Sequence, residues 1–136
     1  MKWTSARVVG RTAAVALLAC LSAARAADTE WVAGEGNWDL PPNWSSGRPD
    51  GDDNAYISNG GTALILTSDA FAAYVHVGYG EHEEGHVRQT GYEADFDRLY
   101  VGYLEGSTGT YVLDGGVLNT NGTDIGQRGN GLFRQN

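Results

Sequence analysis

The sequence predicts an all-β chain: a right-handed parallel β-helix, or β-solenoid, with coils of about 24 residues and an N-terminal β cap. Three observations predict it. First, VHVGYGEHEEGHVRQTG (75–91) matches LYVGYLEGSTGTYVLDG (99–115) at a constant offset of 24. Val77-Gly78-Tyr79 falls on Val101-Gly102-Tyr103, Glu81 on Glu105, Gly85 on Gly109, Val87 on Tyr111 and Gly91 on Gly115. Second, β-branched and aromatic residues alternate within each copy, and glycine closes each run, as in YVHVG, RLYVG and TYVLDG. That is strand chemistry with turn punctuation. Third, no window from Ala27 onward has helical spacing. An internal period of this size marks a repeat architecture. One unit of a few short strands cannot bury its apolar face alone. Stacked units can, with equivalent positions about 4.8 Å apart in parallel sheets. Stacked β-hairpins with the same period are the alternative.

The elements follow in order. Residues 1–26 read as a secretion signal: Lys2, Arg7 and Arg11, then the apolar run TAAVALLACLSA, then Ala24 and Ala26 placed for cleavage before Ala27. The apolar run is shorter than the roughly 20 residues that span a bilayer. Cys20 is the only cysteine and lies inside this segment, so the mature chain has no disulfide and no thiol chemistry. LLAC also fits a lipoprotein cleavage box that would make Cys20 a lipid-bearing N-terminus, although Leu at its second position is atypical. Either route predicts a secreted or cell-surface protein. No other stretch reads as a membrane helix.

Residues 27–73 read as a Trp/Gly-rich cap, with Trp31, Trp38, Trp44 and all three prolines. A solenoid needs its open end covered, because a bare sheet edge invites aggregation. Residues 74–136 are the repeats. The third copy, TDIGQRGNGLFRQN, has Ile125-Gly126 placed 24 after Val101-Gly102. Its corner is two residues shorter, so Gly131 and Phe133 take the places of Gly109 and Tyr111, and Gln89, Leu113 and Gln135 share one column. The sequence stops at Asn136 within that copy, which fits a truncated segment and leaves an open C-terminal edge for end-to-end self-association.

Charge narrows the partners. After residue 26 there are five Arg, no Lys and 17 Asp and Glu, a formal charge of −12. Nucleic acids and anionic membranes need a basic patch, so neither is an expected partner.

The order Trp31-x-x-Gly34-x-Gly36-x-Trp38, Asn43-Trp44-x-x-Gly47-x-Pro49 and Asp53-x-Ala55-x-Ile57 resembles the N-terminal module of autotransporter-type passengers, exported bacterial β-helix proteins. Val101-Gly102 and Gly115-Gly116-Val117-Leu118 resemble their V-G and G-G-x-L repeat elements. The resemblance runs over nearly all of residues 29–136. It implies a structural, adhesive surface role without catalysis or cofactor, with surface glycans or host and matrix proteins as partners. Members of that family are usually longer and often end in a membrane barrel or an anchor.

Several residues carry chemistry on paper. HEEGH (82–86) matches the zinc-protease pattern H-E-x-x-H, with His82 and His86 as ligands and Glu105 as a third. That pattern needs a helix, and Gly78, Gly80 and Gly91 disfavour one. The next copy also replaces His82 by Gly106 and His86 by Thr110, so the plainer reading is a solvated acidic corner. Asp50, Asp52 and Asp53, with Asn54, offer hard oxygens for Ca²⁺ in a Gly-containing loop, but the distal Glu of an EF-hand is absent. Here the plainer reading is an Asx-rich turn in which Asp53 orders the entry to AYIS. Trp31, Trp38 and Trp44 make either a sugar-stacking platform or a hydrophobic plug, and aromatics in a cap generally fill its core. Two carboxylates among Glu81, Glu83, Glu84, Glu93, Asp95 and Asp97, expected in outward loops, would serve a polysaccharide-acting enzyme if a groove separated them suitably. A carbohydrate-binding module or such an enzyme is therefore the alternative function.

Overall fold

The computed structural model describes residues 26–136. Cys20 and all but the last residue of the expected signal segment lie outside the described residues. Nine strands form one sheet: β1 Asp28–Glu30, β2 Glu35–Asn37, β3 Asn54–Ile57, β4 Asn59–Ile65, β5 Ala70–Val77, β6 Glu84–Val101, β7 Thr108–Thr120, β8 Thr123–Ile125 and β9 Asn130–Gln135. Pro41–Asn43 makes a single 3-10 turn. Every strand pair is parallel. Among the described residues the one antiparallel contact is an isolated bridge between Trp31 and Trp44. Stacked hairpins would require antiparallel neighbours, so that alternative is excluded and the fold is a β-solenoid.

Long strands bend at corners and serve more than one face. The first face stacks β1, β3, the end of β5, the end of β6 and β8. The second stacks β2, β4, the start of β6, the start of β7 and β9. The third stacks the start of β5, the middle of β6 and the end of β7. The columns read from the sequence recur as register pairs: Val77 with Val101 and Val101 with Ile125, Gly85 with Gly109 and Gly109 with Gly131, Tyr111 with Phe133, Gln89 with Leu113 and Leu113 with Gln135.

Alternation along each strand separates inside from outside. Ala55, Val75 and Leu99 form one buried inner column; Ile57, Val77 and Val101 form another. Ala63, Val87 and Tyr111 line the second face, and Ala70, Ala72, Ala94 and Phe96 the third. Full burial of each Val, Leu or Ile contributes about 1.5–3 kcal/mol. Residues 27–73 supply β1–β4 and the start of β5 to this same sheet. Their indoles close the first coil, where Trp44 packs edge-on against Trp31 and Trp38, and Trp38 stacks on Phe96.

Glycine fixes the corner between the first and second faces. Gly78, Gly102 and Gly126 have φ of 68°, 67° and 64°, the left-handed region that L side chains disfavour. Their partners Gly85, Gly109 and Gly131 have no space for a side chain: a Cβ would run into the carbonyl oxygens of Ile57, Val77 and Val101. Two departures from a uniform period stand out. Asn54 pairs with Tyr74 at an offset of 20, because only Ser58 to Gly61 turn this corner in the first complete coil, against Gly78 to Gly85 in the next. The column expected to place Gly91 on Gly115 slips, so that Thr90 faces Gly115 and pairing resumes at Glu93 with Val117. Tyr92 and Gly116, both left-handed at φ 64° and 86°, make the intervening bulge.

Candidate functional site

The residues singled out in the sequence do not converge. No helix runs through 82–86. His82 sits in an exposed turn at φ 63°, 3.6 Å from Glu81. His86 lies on β6 rather than at the bend, with its Nε2 3.1 Å from Glu84 Oε1, and pairs with Thr110. No group of three or more His, Cys, Asp and Glu placed to hold a metal ion occurs among the described residues. In the aspartate loop the carboxylates accept backbone N–H groups. Asp53 takes those of Ala27 at 2.8 Å and Asp50 at 3.1 Å, and Asp50 takes that of Asp52 at 3.0 Å. This is turn geometry, which sets the entry to β3.

The glycan expectation for Trp31, Trp38 and Trp44 is corrected. They are 2%, 1% and 3% exposed, so none offers an open stacking platform; Trp31 contributes only to the wall of the cleft described below. Trp44 Nε1 donates to Trp38 O at 2.8 Å, whereas Trp31 Nε1 and Trp38 Nε1 are buried without a partner. Glu93, Asp95 and Asp97 are also relocated. They stand at outward positions of strand β6, because Ala94 and Phe96 take the inward ones. Glu81 and Glu83 remain in the turn before β6, and Glu84 begins the strand.

What the structure does assemble is an aromatic ladder on the outer side of the first face. With Ala55, Ile57, Val75, Val77, Leu99 and Val101 pointing in, the residues between them point out. In-register pairing then lines up Glu30, Tyr56, His76, Tyr100 and Asp124. His76 stacks on Tyr56 at 4.6 Å and 4°, and on Tyr100 at 4.7 Å and 6°. The parallel-sheet repeat supplies that spacing, which suits offset ring stacking. The corners at Gly78 and Gly102 bring two further rings alongside. Tyr79 meets Tyr56 and His76 edge-on at 5.3 Å and 4.6 Å, Tyr103 meets Tyr100 edge-on at 4.7 Å, and Tyr79 stacks on Tyr103 at 5.9 Å.

Burial between rings disfavours the imidazolium, and the His76 pKa is lowered from 6.5 to about 4, with the charge of Asp28 acting in the opposite direction. The ring is therefore neutral at pH 7, and its Nδ1 has no hydrogen-bond partner. The Tyr56 hydroxyl is pushed above its usual range, first by burial and then by the charges of Asp28, Tyr79 and Glu30.

At the β1 end of the ladder lies a cleft of about 400 Å³, bounded by Tyr56, Tyr79, Ser58 and the carboxylates of Asp28, Glu30 and Glu83. Local hydrogen bonds fix its walls. Tyr79 N donates to Ser58 Oγ at 3.0 Å, Gly80 N to Glu83 Oε2 at 2.7 Å, and Asn54 Nδ2 to Asp28 Oδ1 at 2.9 Å. None of the three carboxylates joins an ion pair among the described residues. For the ladder, though not for the cleft, the sequence held a signal in the phase of alternation. Once the valines of Tyr74-Val75-His76-Val77 face the core, Tyr74 and His76 must face outward. No family model, curated protein or solved structure matches the chain.

Proposed function

We propose that this chain is an exported structural and adhesive surface segment, similar to autotransporter passengers, that works by contact rather than catalysis. The observation that carries this reading is the outward aromatic ladder. A sheet face turned to solvent is ordinarily polar, whereas this one carries the half-buried Tyr56, Tyr79, Tyr100 and Tyr103 around a buried His76, with Tyr74 43% exposed beside them. Aromatic residues on a polar surface are what protein interfaces and sugar-contacting surfaces use. Rigid backbone pairing holds the rings in place, so little side-chain freedom is lost on contact. Surface glycans and host or matrix proteins are the partner classes. Charge of −12 after residue 26 suits a solvated surface protein. A second contact, end to end between copies, would use β8 and β9, each of which has a neighbour on one side only, near exposed Ile125 and Leu132. No helix among the described residues is long and apolar enough to cross a membrane.

The test compares the full chain with a Tyr100→Ser/Tyr103→Ser variant on surfaces coated with matrix proteins or glycans. Retention should fall about tenfold or more in the variant while its far-UV circular dichroism is unchanged. Equal retention would move the contact surface elsewhere. Release of new reducing ends from a polysaccharide would replace the reading with the enzymatic one. Export is tested by sequencing the N-terminus of the cell-surface or secreted form. Ala27 is expected first, and an acylated Cys20 would mean lipid anchoring instead.

A further inference from the structure

We propose that the cleft between Tyr56 and Tyr79 binds an organic ammonium group. The cleft stands on its own geometry and does not depend on an adhesive role.

It exists because one corner is short. Ser58 to Gly61 turn the corner that Gly78 to Gly85 turn one coil later. The longer corner overhangs the shorter, and the cleft is the space the missing residues leave. Ser58 lines it from one coil, Tyr79 and Glu83 from the next. One coil further on, two long corners stack on each other: Tyr79 lies on Tyr103, and the position of Glu83 is taken by the fully buried Ser107. The ladder repeats; the cleft does not.

Its volume of about 400 Å³ falls in the range of small-molecule sites. Charge selects the ligand class. Asp28, Glu30 and Glu83 line it, and no Arg does. An anion would be repelled, and a neutral sugar would leave three carboxylates uncompensated. A hard divalent ion needs oxygens that converge, and these carboxylates form no such cluster. An alkylammonium fits better. Its charge is spread and weakly hydrated, so carboxylates several ångströms away and ring faces can share it. Tyr56 and Tyr79 stand 5.3 Å apart at 70°, a corner of two rings. A cation within about 6 Å of a ring centroid is attracted by the ring quadrupole. Neutral His76 behind Tyr56 adds no opposing charge at pH 7.

Free alkylammonium compounds and the lysine side chain of a partner share this chemistry. The full chain is titrated with tetramethylammonium chloride, with Nα-acetyl-lysine amide and with glucose at constant ionic strength, followed by NMR shifts of the Tyr79 and Glu83 amides. Saturable binding on the order of millimolar is expected for at least one ammonium compound and not for glucose. Tighter binding of tetramethylammonium assigns the site to free quaternary ammonium compounds; tighter binding of the lysine derivative assigns it to a partner's lysine. Glu83→Gln, which keeps an acceptor for Gly80 N, should weaken binding at least threefold. Tyr79→Leu should weaken it about tenfold, while Val117→Thr, on the exposed outer side of the third face, should leave it unchanged. No saturable shift with either cation, equal binding of glucose, or equal loss in Val117→Thr overturns the proposal.

Discussion

Gly109 has no room for a methyl group: an added Cβ would collide with the carbonyl oxygen of Val77 and the amide of Gly102. Both obstacles are backbone, so relief requires the two coils to separate. Gly109→Ala should therefore lower stability by roughly 2–4 kcal/mol, read as a lower urea midpoint. Gly91 has nothing within 4 Å of its Cβ position and no left-handed φ. Gly91→Ala should stay within about 0.5 kcal/mol of the parent or gain slightly by restricting the unfolded chain. Both glycines were legible as corner residues; the sequence could not say which of them touches the coil before. His76 makes the second prediction at this scale. The folded chain resists its protonation down to about pH 4, whereas the unfolded chain accepts the proton near 6.5. The stability contributed by the neutral ring is thus complete above pH 6.5 and is lost as pH falls towards 4. The loss is on the order of 2–3 kcal/mol. His76→Phe keeps a flat ring in the stack and should lose less stability than the parent between pH 7 and 4.5, measured by urea unfolding at each pH.

The bulge joining two faces of β6 shows how an element is held when its ladder breaks. Gln89 is fully buried, and its Nε2 donates to the carbonyls of Tyr92 and Val117, both at 3.0 Å. Its Oε1 accepts from the Tyr111 hydroxyl at 2.7 Å. The amide thereby ties together the carbonyl of Tyr92, inside the register slip, and that of Val117, where pairing resumes. Burial also pushes the Tyr111 hydroxyl well above its usual range, so it stays a donor at any working pH. Tyr111→Phe strands the Gln89 oxygen in the core and should cost about 1–3 kcal/mol, measured by thermal or urea unfolding. Phe133 occupies the next position of the same column and stacks on Tyr111 at 5.5 Å, so a phenyl ring is sterically acceptable there. The loss would be that of the hydrogen bond alone. The sequence placed Gln89, Leu113 and Gln135 in one column, and a polar residue in a column with Leu was a readable sign. Its inward direction was not readable, because a corner of uncertain length breaks the phase between strands. For the same reason Glu93, Asp95 and Asp97 looked like loop residues, and the pairing of Tyr56 with His76 at an offset of 20 was hidden by a period of 24.

At the scale of the whole molecule each coil packs chiefly on its neighbours, with Trp38 reaching past the second coil to Phe96 of the third, so stability is to a first approximation a sum of coil terms and coil–coil interfaces. The period revealed this architecture, because parallel stacking forces like residues into columns. The cleft was not legible, since it arises from a deletion relative to the period rather than from any motif. The two ends differ in kind. Among the described residues Trp31, Trp38 and Trp44, all buried, fill the first coil, whereas in the last β9 pairs only with β7 and Leu132 is exposed. Trp3 apart, every indole of the chain thus lies in one coil. Tryptophan fluorescence is consequently a built-in gauge of that end alone, whereas circular dichroism averages over all coils. If the chain unzips from the β9 end, the emission change should come at higher urea than the ellipticity change. Coincident curves would show that about four coils melt as one cooperative block.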